Sequence, residues 1–244
     1  MPEGPTILNL RNKLNRFRKK TVTEAGGYGD MDKTGIEGQQ LLDIDSYGKN
    51  FIFVFRDFFV TVHLGLFGSM LINKRKKSNA SFYLHFDDAQ INFYIANTKR
   101  IEGKPQDHFN YRTDILKDIY DGELVLSTVQ DKYKERMIGD VLMEQEIFAG
   151  VGNIIRIESL YRAKIHPASL VKDIPEKKLV FLIETVVNYA YEFLEQSKTD
   201  TVKEKTLIYG RKICPKDKRE LIIEEMGKVK RKTYVCPKCQ KMYS

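Results

Sequence analysis

The sequence predicts an α+β protein: an amphipathic helix, a β-sandwich or barrel, a helical domain, and a basic tail of strand-like composition. Three observations carry that prediction. Short β-branched and aromatic runs bounded by turn residues fill residues 21–100. Helical spacing replaces them from about Asp114 onward. All three cysteines, Cys214, Cys236 and Cys239, fall in the last 31 residues.

Each element follows from a local pattern. From Thr6 to Lys20, Ile7, Leu10, Leu14 and Phe17 recur at helical spacing, and Arg11, Lys13, Arg16, Arg18, Lys19 and Lys20 flank that stripe. This predicts an amphipathic helix with a solvated cationic face, opening directly after Pro2 and Glu3. Next, Phe51–Phe55, Phe59–His63, Ser81–Phe86 and Ile91–Ile95 read as strands, with Asp87-Asp88-Ala89 as a hairpin turn. Helices are expected over Glu123–Lys132, Met137–Ile147, Asn153–Arg162 and Glu176–Glu195, with breaks at His166-Pro167 and Ile174-Pro175. Ser197–Lys205 reads as a polar connector. The expected domains are 1–112, 113–205 and 206–244.

Composition narrows the function classes. Lys and Arg total 41 against 33 Asp and Glu, a net charge of +8 that suits an anionic partner such as nucleic acid. No apolar run reaches the length of a membrane span, and the N-terminus lacks a signal peptide's apolar core. The expected compartment is the cytoplasm, nucleoid-associated in a bacterium, and the expected state is a monomer. Three clustered cysteines in a reducing compartment point to a metal rather than to disulfides.

The chemistry-bearing stretches begin with Met1-Pro-Glu-Gly-Pro5. Once Met1 is removed, Pro2 carries a secondary amine that can attack a sugar carbon and form an iminium. Glu3 beside it can give or take a proton. The same pentapeptide also reads as a plain helix start, with Pro in the first turn and Glu at the positive dipole end. The second stretch is Gln145–Glu158, in which Ala149-Gly-Val-Gly-Asn153 separates two expected helices. Asn153 is a good N-cap, and a helix N-terminus with nearby glycines is a phosphate site. An ordinary helical hairpin with a Gly turn fits those residues equally well.

Met1-Pro-Glu-Gly-Pro5, Gly150-Val-Gly-Asn153 and a C-terminal cysteine hairpin, in that order, resemble the formamidopyrimidine-DNA glycosylase and endonuclease VIII family. Tyr47-Gly-Lys49, His63-Leu-Gly-Leu-Phe-Gly68, Lys99-Arg100, Glu158, His166-Pro167, Tyr209-Gly-Arg211 and Cys236-Pro-Lys-Cys-Gln240 extend the resemblance over nearly the whole chain. It implies a β-sandwich, then a helix–two-turn–helix domain and a zinc-finger-like β-hairpin, with damaged double-stranded DNA held between domains. It further implies that Pro2 is the Schiff-base amine, Glu3 the general acid at the sugar ring oxygen, and Lys49 a catalytic lysine contacting phosphate beside the lesion. By residue pattern alone, Lys49 is a solvated hairpin tip.

The resemblance makes Asn153 and Arg231 phosphate contacts. Leu66 and Phe67 become a wedge that fills the void left by a flipped base. On the residues alone they are core or loop, with Gly65 and Gly68 favouring a loop. Gly65 stands where the endonuclease VIII branch carries glutamine. Arg100 would face the orphaned base, with Ile101 replacing the family's phenylalanine. The implied zinc set is Cys214, Asp217, Cys236 and Cys239. Asp217 replaces a cysteine of the usual pattern, so a metal-free hairpin is the competing expectation.

The implied activity is that of a bifunctional DNA glycosylase and apurinic/apyrimidinic lyase in base excision repair. Glu3-Gly4-Pro5 and Asn153–Glu158 lean toward the endonuclease VIII branch and oxidised pyrimidines. His63-Leu-Gly-Leu and His166-Pro167 lean toward the branch that removes 8-oxoguanine. The short connector from Gln196 to Tyr209 favours pyrimidine lesions or a broad substrate range. A catalytically silent damaged-DNA-binding protein of the same fold is the alternative from another class.

Overall fold

A computed structural model describes residues 2–244, and Met1 lies outside the described residues. The chain forms two compact units, residues 1–109 and 110–244, each with its own core.

The first unit opens with α1 (Gly4–Asn12), which has Pro5 in its first turn. The helix is shorter than the apolar spacing suggests. It stops at Asn12, and Leu14 and Phe17 reach the core through a 3-10 turn over Asn15–Phe17. The cause is tertiary. The Lys19 N–H and Lys20 carbonyl pair with the backbone of Leu41, which a continuing helix would forbid. Nor is the cationic face wholly solvated. Arg11 Nε and an Arg18 guanidinium N–H both donate to the Ile44 carbonyl, at 2.9 and 3.0 Å, and Arg18 also pairs with Asp43. Two of the expected surface cations therefore pin the segment that carries Pro2 and Glu3.

Eight strands follow: β1 (Glu24–Gly26), β2 (Asp43–Tyr47), β3 (Asn50–Val54), β4 (Phe58–His63), β5 (Ser69–Ile72), β6 (Phe82–Phe86), β7 (Ala89–Tyr94) and β8 (Asn97–Glu102). They make two four-stranded antiparallel sheets, ordered β1-β6-β7-β5 and β2-β3-β4-β8. Phe51, Phe53, Val60 and Val62 of one sheet meet Phe82, Leu84, Ile91 and Phe93 of the other. Phe93 lies 5.6 and 5.8 Å from the rings of Phe51 and Phe53, so aromatic packing joins the two faces. The architecture is a sandwich rather than a barrel. The β6–β7 turn is Asp87-Asp88, as the sequence predicts.

The second unit holds α3 (Gly122–Lys132), α4 (Ile138–Val141), α5 (Asn153–Ala163), α6 (Glu176–Lys198) and α7 (Val202–Lys205), then a hairpin of β9 (Ile222–Met226) and β10 (Arg231–Val235). A short α2 (Pro105–His108) precedes it in the first unit. The helix expected over Met137–Ile147 is realised only as the single turn of α4, followed by successive turns. Gly139 explains part of this: a Cβ there would lie 2.9 Å from the Pro167 carbonyl oxygen, so the backbone runs tight against that loop. Ile138, Val141, Leu142, Ile147 and Phe148 are buried nonetheless. Among the described residues no helix is long and apolar enough to cross a membrane.

Candidate functional site

In the first unit the site residues lie at the head of α1, in turns between strands and on the edge strand β8. Glu3 precedes α1 in extended conformation and is 1% exposed, while Pro2 beside it is partly exposed. Lys49 occupies a two-residue turn with Gly48 between β2 and β3. Gly48 has φ +54, the left-handed backbone that such hairpin turns need. The solvated tip expected from residue pattern is not what forms, because Lys49 is only 9% exposed. An isolated buried ammonium or carboxylate costs several kcal/mol on the order of magnitude, and both Glu3 and Lys49 are engaged with partners. Helix α1 packs on β2 and β3, the two strands that Lys49 joins.

His63 ends β4 opposite Asn97, and Asn50 pairs with His63 from the other side. Burial, and then the Lys49 charge, hold its imidazole below the ordinary value of 6.5. Its Nδ1 accepts the Gly65 N–H at 3.1 Å. Beyond it, Leu66 and Phe67 stand 55% and 74% exposed in a loop, not in a strand core. Arg100 lies on the edge strand β8 and is more committed than the sequence suggests. Its Nε donates to Glu102, another N–H donates to the Thr34 carbonyl at 2.6 Å, and the guanidinium lies 3.6 Å over the Phe58 ring.

In the second unit Asn153 and Arg231 come together through backbone. Asn153 is not the N-cap: Gly152 takes that place and Asn153 is the first helical residue, with no side-chain cap. Its amide faces the hairpin instead. Nδ2 donates to the Lys232 carbonyl at 2.9 Å, one residue along β10 from Arg231. The Asn153 Oδ1 and the Arg231 Nε are both buried without a hydrogen-bond partner. A helix N-terminus, with its positive dipole end, thus sits beside an arginine that keeps an unsatisfied donor.

Three further contacts fix this arrangement; the sequence marks Glu158 and Tyr209 but carries no pattern that pairs them, or that finds the other two contacts. Arg156, buried in α5, donates to Thr233 Oγ1 at 2.6 Å. Glu158, with no exposed surface, accepts the N–H groups of Leu207, Ile208 and Tyr209 at 2.8–2.9 Å. Both Asp140 carboxylate oxygens accept the Lys228 N–H, at 3.1 and 3.2 Å, at the tip of the β9–β10 hairpin. A Cβ on Gly227 would lie 2.0 Å from Asp140 Oδ1, and Gly227 has φ +80. Only glycine fits there.

Cys214, Asp217, Cys236 and Cys239 converge, their ligand atoms all within 4.8 Å of one another. The Cys214 and Cys239 sulfurs are 3.8 Å apart, and the Cys236 sulfur lies 3.4 Å from Asp217 Oδ2. A tetrahedral ion with bonds of about 2.3 Å to sulfur and about 2.0 Å to oxygen would need edges of about 3.8 and about 3.5 Å. The donor set therefore fits a small, thiophilic divalent metal. The Cys239 N–H and the Tyr161 hydroxyl approach cysteine sulfurs at 3.3 and 3.2 Å, the kind of outer contact that orients thiolate ligands. Burial pushes the Cys236 thiol up to about 12, so without a metal it stays protonated.

Comparison with known proteins gives the class to which this fold and these clusters belong. Residues 1–101 match the family model described as the formamidopyrimidine-DNA glycosylase N-terminal domain, and residues 114–204 match that of its H2TH domain. Curated relatives include endonuclease 8-like 3 of Mus musculus, 27% identical over 81% of this chain and 34% of that protein. Another is endonuclease 8-like 2 of Bos taurus, 30% identical over 73% of this chain and 57% of that protein. The chain spans about a third of the length of the first of these relatives. Among solved structures, formamidopyrimidine-DNA glycosylase of Lactococcus lactis, bound to DNA containing an abasic site, superposes with a TM-score of 0.85. It is 19% identical, covering 98% of this chain and 99% of that one. A viral DNA glycosylase superposes equally well, with a TM-score of 0.85 at 20% identity, over 98% of this chain and 100% of that one. The chain belongs to the formamidopyrimidine-DNA glycosylase and endonuclease VIII family.

Proposed function

We propose that the protein is a DNA glycosylase with abasic-site lyase activity, acting on oxidised bases, chiefly pyrimidines, in duplex DNA. The carrying observation is the buried Glu3 carboxyl beside partly exposed Pro2, at the head of a helical segment pinned by Arg11 and Arg18. With Met1 removed, the Pro2 amine attacks C1′ of the damaged nucleotide. A C–N bond forms and the base departs with the glycosidic electron pair. Glu3 gives a proton to the ring oxygen, the sugar opens, and an iminium remains. Loss of a C2′ proton then expels the 3′ phosphate by β-elimination, and a second elimination expels the 5′ phosphate. Lys49 neutralises the phosphate beside the lesion.

Asn153, the N-terminus of α5 and Arg231 grip the backbone, which carries no lesion information. Leu66 and Phe67 fill the space left by the flipped base, and Arg100 meets the orphaned partner once released from Glu102 and Thr34. Zinc is the metal that suits Cys214, Asp217, Cys236 and Cys239. It would supply no reaction step, only the hold on the hairpin that carries Arg231. The preference for pyrimidines rests on the short link from α6 to Tyr209 and on relatives named as endonuclease 8-like.

Borohydride trapping tests the reading. An adduct with abasic or oxidised duplex should map to Pro2 in protein lacking Met1. Full trapping by protein with a chemically blocked N-terminus would refute it.

A further inference from the structure

We infer that His63 is a positioning residue for the Leu66–Phe67 turn: its imidazole accepts the Gly65 N–H and so fixes the loop that presents the two apolar side chains. The role assigned to that loop rests on the wedge reading proposed above.

Strand pairing ends at His63, so the next amides lose their sheet partners. The chain resolves this with two bonds. The Gly68 N–H returns to the Leu64 carbonyl at 2.9 Å, and the Gly65 N–H goes to His63 Nδ1 at 3.1 Å. Both feet of the loop are thereby closed, one by backbone and one by the imidazole. The glycines are required: Gly65 has φ +58, and a Cβ on Gly68 would lie 2.0 Å from the Leu64 oxygen. What the closure displays is costly in the free protein. Leu66 and Phe67 remain 55% and 74% exposed, so their own burial does not offset ordering the loop.

The imidazole must be neutral with its proton on Nε2, because only then is Nδ1 an acceptor. Half-burial of His63 and the nearby Lys49 charge favour that form. The residue that prepares the turn therefore also feels the charge of the lysine assigned to the lesion phosphate.

The acceptor position makes the idea separable from general damage. Asparagine places an oxygen close to where Nδ1 lies, whereas glutamine reaches further and alanine offers nothing. In the full chain, Gly65 amide exchange should speed up about fivefold or more in His63→Ala, as loss of one hydrogen bond implies, and return to within about twofold in His63→Asn. The second readout uses duplex DNA with 2-aminopurine beside an abasic analogue, at protein concentrations that saturate each variant. Wild type should raise the fluorescence by unstacking. His63→Ala and the double variant Leu66→Ala/Phe67→Ala should lose most of that rise, and His63→Asn should keep it.

Unchanged Gly65 exchange in His63→Ala, or a His63→Asn variant that behaves like alanine, overturns the positioning role. A double variant with undiminished fluorescence overturns the wedge reading instead, while exchange at Gly65 still reports the turn. Should His63→Ala fail to fold, His63→Asn against His63→Gln gives the same contrast.

Discussion

Lys49 shows how a single residue departs from its local pattern. A lysine at a Gly-Lys hairpin turn ordinarily reaches into water, yet this one is buried and has a partner. Its cost is sensible only if the charge is needed there. Lys49→Ala should leave the fold intact and lower single-turnover base release by roughly a hundredfold, the scale of a lost charge-stabilising group; unchanged turnover would assign the lysine to stability. His63 yields a pH prediction. Its folded-state pKa lies below 6.5, so the unfolded chain binds the proton more readily. Stability from this group is present above about pH 6.5 and is lost as pH falls below it. His166 shifts the same way through burial, partly opposed by Glu224. Denaturant midpoints measured between about pH 7.5 and 5 should fall with acidity in wild type and fall less in His63→Asn.

At the scale of elements, legibility in the sequence followed hydrophobic contrast. Strands β3, β4, β6 and β7 were readable because Phe, Val and Ile concentrate in them. Strand β8, Asn-Thr-Lys-Arg-Ile-Glu, was not, since it is an edge strand with polar residues toward both faces and exists by pairing with β4. The single turn of α4 and the early end of α1 had helical spacing but yielded to tertiary hydrogen bonds. The candidate site divides in the same way. Cysteines and the Gly-x-Gly-Asn turn announce themselves by residue type and spacing. The Glu158, Arg156 and Asp140 clamps are contacts between residues 49 to 88 apart, which no local pattern encodes. These clamps make the hairpin sensitive at its tip. Gly227→Ala combines φ +80 with a collision against Asp140, so it should destabilise the second unit by about 1–3 kcal/mol. It should also weaken DNA binding while metal content stays the same; equal affinity would show that Arg231 does not depend on this contact.

At the scale of the molecule, two compact units mean two separable responses. One cluster holds the sandwich from Ile7 to Ala96; the others hold the helices and the cysteine hairpin, where Ile157, Tyr161, Ile208, Leu221 and Tyr234 surround Cys214 and Cys236. Removing the metal with a chelator should loosen β9 and β10, followed by hydrogen exchange, and leave β3, β4 and β7 protected. Uniform loosening of both units would contradict the assignment. Asp217→Cys should hold the metal more tightly, because a softer sulfur replaces oxygen at an otherwise matched site. The net charge of +8 predicts binding that weakens steeply with salt. Arg231→Ala should flatten that slope by about one unit on damaged and undamaged duplex alike.

The exposed Phe67 has a practical consequence. The chain contains no tryptophan, so Phe67→Trp would install its only indole, at a side chain that already faces solvent. Emission would begin red and water-quenched, and would turn blue only when the ring leaves water. Stopped-flow recording of that one colour change would time the entry of the loop into a duplex, separately from base loss and strand cleavage, with no label on the DNA.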